Sequence, residues 1–446
     1  MRYVLALLFI LLMAGDVFGW NQSLAPGLSV KNAMIYIAGL MLATRLVFNR
    51  TTKLEVPRIL IWMGVLVGYA MFTWLAVGFV IHYKSYKIIS AGIDLKAMLI
   101  DYFVVFALCF FGIQTIADVK FVVKALLIGL TCANAIAIGD IAGLFQIGVT
   151  MVGTDGVEAG RAFGAFGHAN ETAALVICLL PAYVTVAISS RGVMRLFWAG
   201  AGLVSATMML MTGSRGAFVG LTVGGVIGWY LCRRFISFAR TVPLLVGLAI
   251  LAVPVLLLVN MKFGSVLTDR VIEMLQDPMT RSGDRSYIWL QGIDRMMDHP
   301  ITLLTGFGWD SYSVMGFFYA THNYYLLLWF ELGVIGVLSY LAIIRGTVLT
   351  ARSAAEVAPA ELRAYLVAFI FGICFVSVAI FFSLLFKPWL YIWAYIGVTM
   401  RLAAIVTANA RQSARTAPAP RVPKPAGAAT RRLQRPKRAL QLRGER

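Results

Sequence analysis

The chain has 446 residues, 60% of them hydrophobic and only 13% charged, with a formal net charge of +19. A soluble domain carries about 25% charged residues, so this composition excludes an ordinary soluble fold and points to an all-α polytopic membrane protein. Eleven Lys and Arg against the single Glu445 lie between Ala408 and Arg446. About half of the positive excess therefore sits in one tail, and a basic tail after a last span marks the cytoplasmic side and anionic membrane lipids better than it marks nucleic acid.

Apolar runs of ~18 or more residues recur along the chain. They predict twelve spans, near 3–19, 28–48, 59–81, 97–116, 122–146, 168–189, 194–211, 215–232, 241–260, 322–344, 362–385 and 388–407. The first resembles a secretory signal, but Asp16 and the lack of a convincing cleavage site favour a retained helix. Lys and Arg fall mainly at one set of ends (Arg45, Arg50, Lys53, Arg58, Lys120, Lys124, Arg191, Arg195, Arg233, Arg234, Arg240, Arg345, Arg352, Arg363 and the tail), which are read as cytoplasmic. The 82–96 loop, with Lys84, Lys87 and Lys96, is a local exception. The predicted organisation is a transmembrane domain over 1–407, a large extracytoplasmic loop over 261–321 between the ninth and tenth spans, and a basic, Pro- and Ala-rich, disordered tail over 408–446. The two halves show no internal repeat, which argues against many carrier architectures.

Five cysteines (Cys109, Cys132, Cys178, Cys232 and Cys374) lie in or beside apolar runs and the large loop has none. This pattern suits neither a disulfide framework nor a cysteine metal site. With no Asp-x-Asp triplet and no Walker-type Gly-Lys-Ser/Thr, neither a metal nor a nucleotide cofactor is expected. Within the large loop, Asp284 to Asp298 has helical spacing, with Asp284 as N-cap and Pro300 as the stop. Ile288, Trp289, Ile293, Met296 and Met297 share one face, so the helix either lies at the membrane–water boundary or packs on the bundle as a lid.

Three polar clusters open spans on the extracytoplasmic side. Gly167-His168-Ala169-Asn170-Glu171 opens the sixth, Thr212-Gly213-Ser214-Arg215-Gly216 the eighth and Thr321-His322-Asn323 the tenth. Helix beginnings offer free N–H groups and the positive end of the helix dipole, and Arg binds phosphate oxygens bidentately. Arg215, Arg281 and Arg285 are thus candidate diphosphate ligands, and His322 is a candidate base for an acceptor hydroxyl. Each has a structural alternative: Arg215 as a boundary residue with its charge at the interface, Arg281 and Arg285 paired with Asp277, Asp284 or Asp294, and His322 as a helix cap. His168, Asn170, Glu171 and Asn323 are candidates for support or capping. Glu331, about nine residues inside the tenth span, must be paired or line a wet cavity. Arg161 and Arg270 are weaker candidates, and His82 and His299 read as loop residues.

The order His322-Asn323, nine residues, Gly333, two residues, Gly336 resembles the signature of the O-antigen ligase family. Gly-His-Ala-Asn-Glu-Thr-Ala, Thr-Gly-Ser-Arg-Gly, Arg281-Ser-Gly-Asp-Arg285 and Gly306-Phe-Gly-Trp-Asp310 are similar to other blocks of that family, over roughly 160–340. The resemblance implies a C-type, metal-independent glycosyltransferase of the inner membrane, with its site facing the periplasm. It would join polysaccharide from an undecaprenyl diphosphate donor to a lipid A core sugar. By position, Arg215 and one or both of Arg281 and Arg285 would hold the diphosphate, and His322 would assist the acceptor. An O-antigen or exopolysaccharide polymerase and a protein O-oligosaccharyltransferase share this signature, and a lipid-linked glycan transporter would use the same cationic cavity without making a bond.

Overall fold

A computed structural model of the chain describes residues 1–19, 23–48, 56–144, 147, 161–236, 285–317 and 319–416. The helices are α1 (Arg2–Phe18), α2 (Val30–Phe48), α3 (Ile59–Ile81), α4 (Ile88–Gly112), α5 (Ile116–Ile141), α6 (Ala169–Ser189), α7 (Val193–Met211) and α8 (Arg215–Cys232). They continue with α9 (Arg285–Met297), α10 (Ile301–Thr305), α11 (Tyr324–Val357), α12 (Ala360–Ala379) and α13 (Lys387–Thr416). Ten of those among the described residues are long and apolar enough to cross a membrane. The 17-residue α1 occupies the first expected span, and the expected span at 241–260 lies outside the described residues. The fold is an all-α polytopic membrane protein, with one short antiparallel pairing of Ser23–Ala25 with Leu28–Ser29.

Several boundaries differ from the sequence reading, among them the end of α11, which runs to Val357 where the span was expected to stop at 344. The stretch expected as loop up to residue 96 becomes helical at Ile88, eight residues earlier. The final helix runs on to Thr416, so the first nine residues of the expected tail are helical. Lys96 owes its place on α4 to Asp101, which it meets at 3.0 Å. Asp101 is also bonded by Asn32 and by the Tyr36 hydroxyl at 2.6 Å. Asp16, 2% exposed, is held by Lys31 at 3.3 Å and by the Tyr391 hydroxyl at 2.5 Å. A buried acid survives in an apolar bundle when a cation and neutral donors share it. Lys96, one of the three lysines that broke the charge pattern, is thus an internal partner and not a topological marker.

Close backbone approach sets the position of α8. Gly216, Gly220, Gly224 and Gly228 recur every four residues and therefore share a helix face. A Cβ at Gly220 or Gly224 would stand 2.7 Å from the carbonyl oxygens of Phe375 or Cys374 on α12. Small residues at such spacing let two membrane helices touch at backbone distance, which locks Arg215 at the beginning of α8 against the end of α12. At the opposite end of the bundle the Arg363 guanidinium donates to the carbonyls of Ala355 (3.0 Å) and Ala358 (2.9 Å), closing the last turn of α11.

Candidate active site

The beginnings of α6, α8 and α11 come together around the turn between α12 and α13. Glu171 accepts the backbone N–H of Lys387 at 3.2 Å. The Tyr324 N–H donates to the Ile380 carbonyl at 3.0 Å, and Gly216 packs on Phe382, where an added Cβ would stand 3.0 Å from the phenylalanine Cβ. The sequence expectation that these polar clusters occupy one level of the bundle agrees with this geometry.

Arg161 joins two of them directly. It is 6% exposed, donates from Nε to the Thr212 carbonyl at 2.9 Å and from a terminal nitrogen to the Asn170 side-chain oxygen at 2.8 Å. The Ser214 hydroxyl donates to the same Asn170 oxygen at 2.9 Å. Asn170 thereby ties the first turn of α6 to the residue before Arg215, and Arg161 supplies the charge. Arg161 stood out little in the sequence, because its role depends on a contact 51 residues away.

Asn323 caps α11 by accepting the Leu326 N–H at 3.0 Å, as its residue type favours. His322, immediately before it, is half-buried with φ +47, a conformation unusual for a residue with a Cβ. Non-glycine residues held in this region gather at functional sites because the surrounding structure must enforce them. Thr321 is fully buried, and its carbonyl accepts the Trp289 indole N–H at 2.8 Å. Arg285 opens α9 one turn ahead of Trp289 and so lies on the same side of that helix. Of the two readings of α9, the packed one matches the structure: Ile288 and Met296 are buried, and Met296 clusters with Phe307, Tyr312 and Phe330. Met297, expected on the apolar face, is exposed. Arg281, Asp284 and Arg270 lie outside the described residues.

The glycines of the signature have a backbone explanation. Gly333 (φ 60, ψ −163) breaks the α-helical geometry inside α11. The carbonyls of Phe330 and Glu331, released from the helix, accept the N–H groups of Phe307 and Gly308, each at 2.8 Å. A Cβ at Gly333 would collide with the Leu304 carbonyl, and one at Gly306 with the Glu331 carbonyl. On the other side, the Tyr69, Tyr83 and Tyr86 hydroxyls donate to the carbonyls of Thr305, Phe307 and Trp309 at 2.8, 2.9 and 2.9 Å. The Gly-Phe-Gly-Trp segment is therefore clamped between the turn that follows α3 and the break in α11. Burial raises the Tyr83 and Tyr86 hydroxyls above their ordinary range, which keeps them as donors.

Glu331 lines a cavity, one of the two settings the sequence left open for it. Its carboxylate accepts backbone N–H groups from Asp310 and Tyr312 and lines a pocket of about 290 Å³ together with Asp94, Asp310, Trp309 and Trp389. Burial lifts the Asp310 carboxyl above the usual range, the nearby Asp94 lifts it further, and a Ser313 hydrogen bond opposes both. The cavity was not legible in the sequence, since its walls come from α4, the 309–320 segment, α11 and the turn before α13.

Ten candidate spans with a polar site gathered at one end define a multi-pass α-helical membrane protein. Residues 200–341 match the family model described as O-Antigen ligase. The match contains Arg215, Arg285, His322, Glu331 and the Gly333 break, and it supports ligase- or polymerase-type activity in general. No curated protein matches the chain.

Proposed function

We propose that the chain is an O-antigen ligase that transfers polysaccharide from undecaprenyl diphosphate to a lipid A core sugar, without a metal, at the periplasmic face of the inner membrane. In this reading the end bearing α9 faces the periplasm and the end of α13 the cytoplasm. The observation that carries it is the Arg161–Asn170–Ser214 network, which sets the beginnings of α6 and α8 side by side with Arg215 at the rim. Two helix N-termini and a guanidinium make a receptor for a diphosphate.

The reaction needs little more than that receptor and a base. The acceptor hydroxyl oxygen attacks the anomeric carbon of the donor sugar, and its proton passes to the His322 imidazole. The bond between the anomeric carbon and the diphosphate oxygen breaks, and polyprenyl diphosphate departs with its developing charge on Arg215 and Arg285, joined by Arg281. Fixed cations stabilise that charge without reorganising during the step. Imidazole is the side chain whose ordinary pKa lies nearest neutrality, which suits a histidine to proton transfer.

The test uses the full-length chain in nanodiscs with lipid-linked glycan and rough lipopolysaccharide. Higher-mass lipopolysaccharide should form in EDTA and without nucleotide, and both Arg215→Ala and His322→Ala should reduce its rate at least about a hundredfold. Lengthened donor chains with no acceptor present would make the protein a polymerase. Movement of labelled donor across the bilayer with no glycosidic bond formed would make it a transporter.

A further inference from the structure

The arginine rim and the cavity beside it have opposite chemistry. Asp94, Asp310 and Glu331 all line the cavity, and no Lys or Arg does so among its described walls. The remaining surface is largely aromatic, including Trp309 and Trp389. Trp389 is 2% exposed, and its indole N–H has no hydrogen-bond partner among the described residues. The cavity also adjoins the proposed base: Ala320 and Tyr324, each two residues from His322, are both in its wall.

Carboxylates, aromatic faces and an unused N–H donor suit one kind of guest. A pyranose ring is amphipathic, with C–H faces that pack on aromatic side chains and a rim of hydroxyls that donate to carboxylates. A volume of about 290 Å³ lies at the small end of ligand sites, which run about 300–1,000 Å³, so it takes a single ring and not a polyprenyl diphosphate. A phosphate would meet like charge on several sides. A metal ion fits no better, for no group of three or more His, Cys, Asp or Glu among the described residues is close enough to hold one.

We propose that this cavity is the acceptor subsite, seating one sugar ring that bears no anionic substituent. The ring's face lies on the aromatic wall, and its hydroxyls donate to Asp310, Glu331 and Asp94. The reacting hydroxyl is thereby held beside His322, while the donor diphosphate stays with the arginines. A phosphate on the acceptor sugar weakens binding. The assignment of this sugar as acceptor rests on the proposed transfer reaction, whereas its binding does not.

The test therefore begins without donor. Delipidated core oligosaccharide, before and after phosphatase treatment, is titrated against the full chain in nanodiscs by tryptophan fluorescence, using wild type, Asp310→Asn, Glu331→Gln, Trp389→Phe and Arg215→Ala. Asn tolerates the left-handed backbone of Asp310 (φ 60), and Gln keeps an acceptor for the two N–H groups that Glu331 satisfies. Binding should weaken roughly tenfold in Asp310→Asn and Glu331→Gln, as expected for one charged hydrogen bond. It should be tighter for the dephosphorylated sugar, in wild type and in Arg215→Ala alike. In the transfer assay the same two variants should raise the acceptor KM and leave the donor KM unmoved. Equal binding by wild type and both carboxylate variants, preference for the phosphorylated sugar, or a raised donor KM alone overturns the subsite. Sugar binding that follows this pattern with no transfer by any variant would sustain the subsite as a sugar site and overturn the ligase reading instead.

Discussion

The Arg161 guanidinium holds the Asn170 side chain at 2.8 Å, and through it the first turn of α6 is fastened to the residue preceding Arg215. Removing the guanidinium strands the Thr212 carbonyl and half of the Asn170 network in a buried site. Arg161→Ala should lower stability by about 3 kcal/mol or more, since each hydrogen bond to a charged group contributes about 1.5–3 kcal/mol. Arg161→Lys should recover only part of this, because an ammonium cannot span both acceptors as a fork does. Thermal unfolding of the purified variants in one detergent measures the loss.

Gly333 tests the break in α11. Its φ of 60 and the Leu304 carbonyl against it leave Gly333→Ala no relaxed conformation. The backbone strain alone costs about 1–3 kcal/mol, so the variant should give little folded protein. Gly346, in the same helix with nothing within 4 Å of an added Cβ, is the control. There Ala should be neutral or stabilising by up to about 1 kcal/mol. Equal yields for both variants would refute the packing argument.

His322 separates strain from chemistry. A left-handed residue with a Cβ costs about 1–2 kcal/mol relative to the right-handed conformation, and glycine removes that cost. His322→Gly should abolish transfer without lowering the melting temperature, whereas Asn323→Ala should lower stability by about 1 kcal/mol through loss of the cap. A large drop in melting temperature for His322→Gly would show that the side chain is there for stability.

Asp310 gives a pH signature. Its carboxyl is raised above the ordinary 3.8, so the folded state favours the neutral form. The stability this contributes is complete below pH 3.8 and is lost as pH rises through the folded-state value. Asp310→Asn should therefore be more stable than wild type at neutral pH, with the difference shrinking towards pH 3.8. The same variant should bind sugar less well, so its loss of binding cannot be laid to misfolding.

The bundle was largely written in the one-dimensional pattern, because a span needs only a run of apolar residues and its flanking charges. The polar clusters at residues 168–171, 212–216 and 321–323 were visible for the same reason: in such a chain a run of His, Asn and Arg stands out. What was hidden depended on pairing across the fold. Lys96 looked like a misplaced loop charge until Asp101 supplied its partner. Arg161 looked minor because Thr212 is distant in sequence. The sequence showed that Gly333 recurs in a signature, but the reason lies in carbonyls 330 and 331, whose partners come from a different stretch of chain. The sugar-sized cavity combines four separate segments and has no signature of its own.

The hydrogen bonds between residues 307–308 and 330–331 run from main chain to main chain, and the Phe307 and Phe330 rings pack beside them with centroids 4.7 Å apart. A single methyl group at 306 or 333 wedges this joint open. The stretch between the two sides of the joint, from 309 to 329, includes His322 and much of the cavity wall and is thus a loop sealed at its base. A one-residue insertion in that stretch would leave both seals intact yet shift the imidazole relative to the carboxylates, a change of register that point substitution cannot mimic.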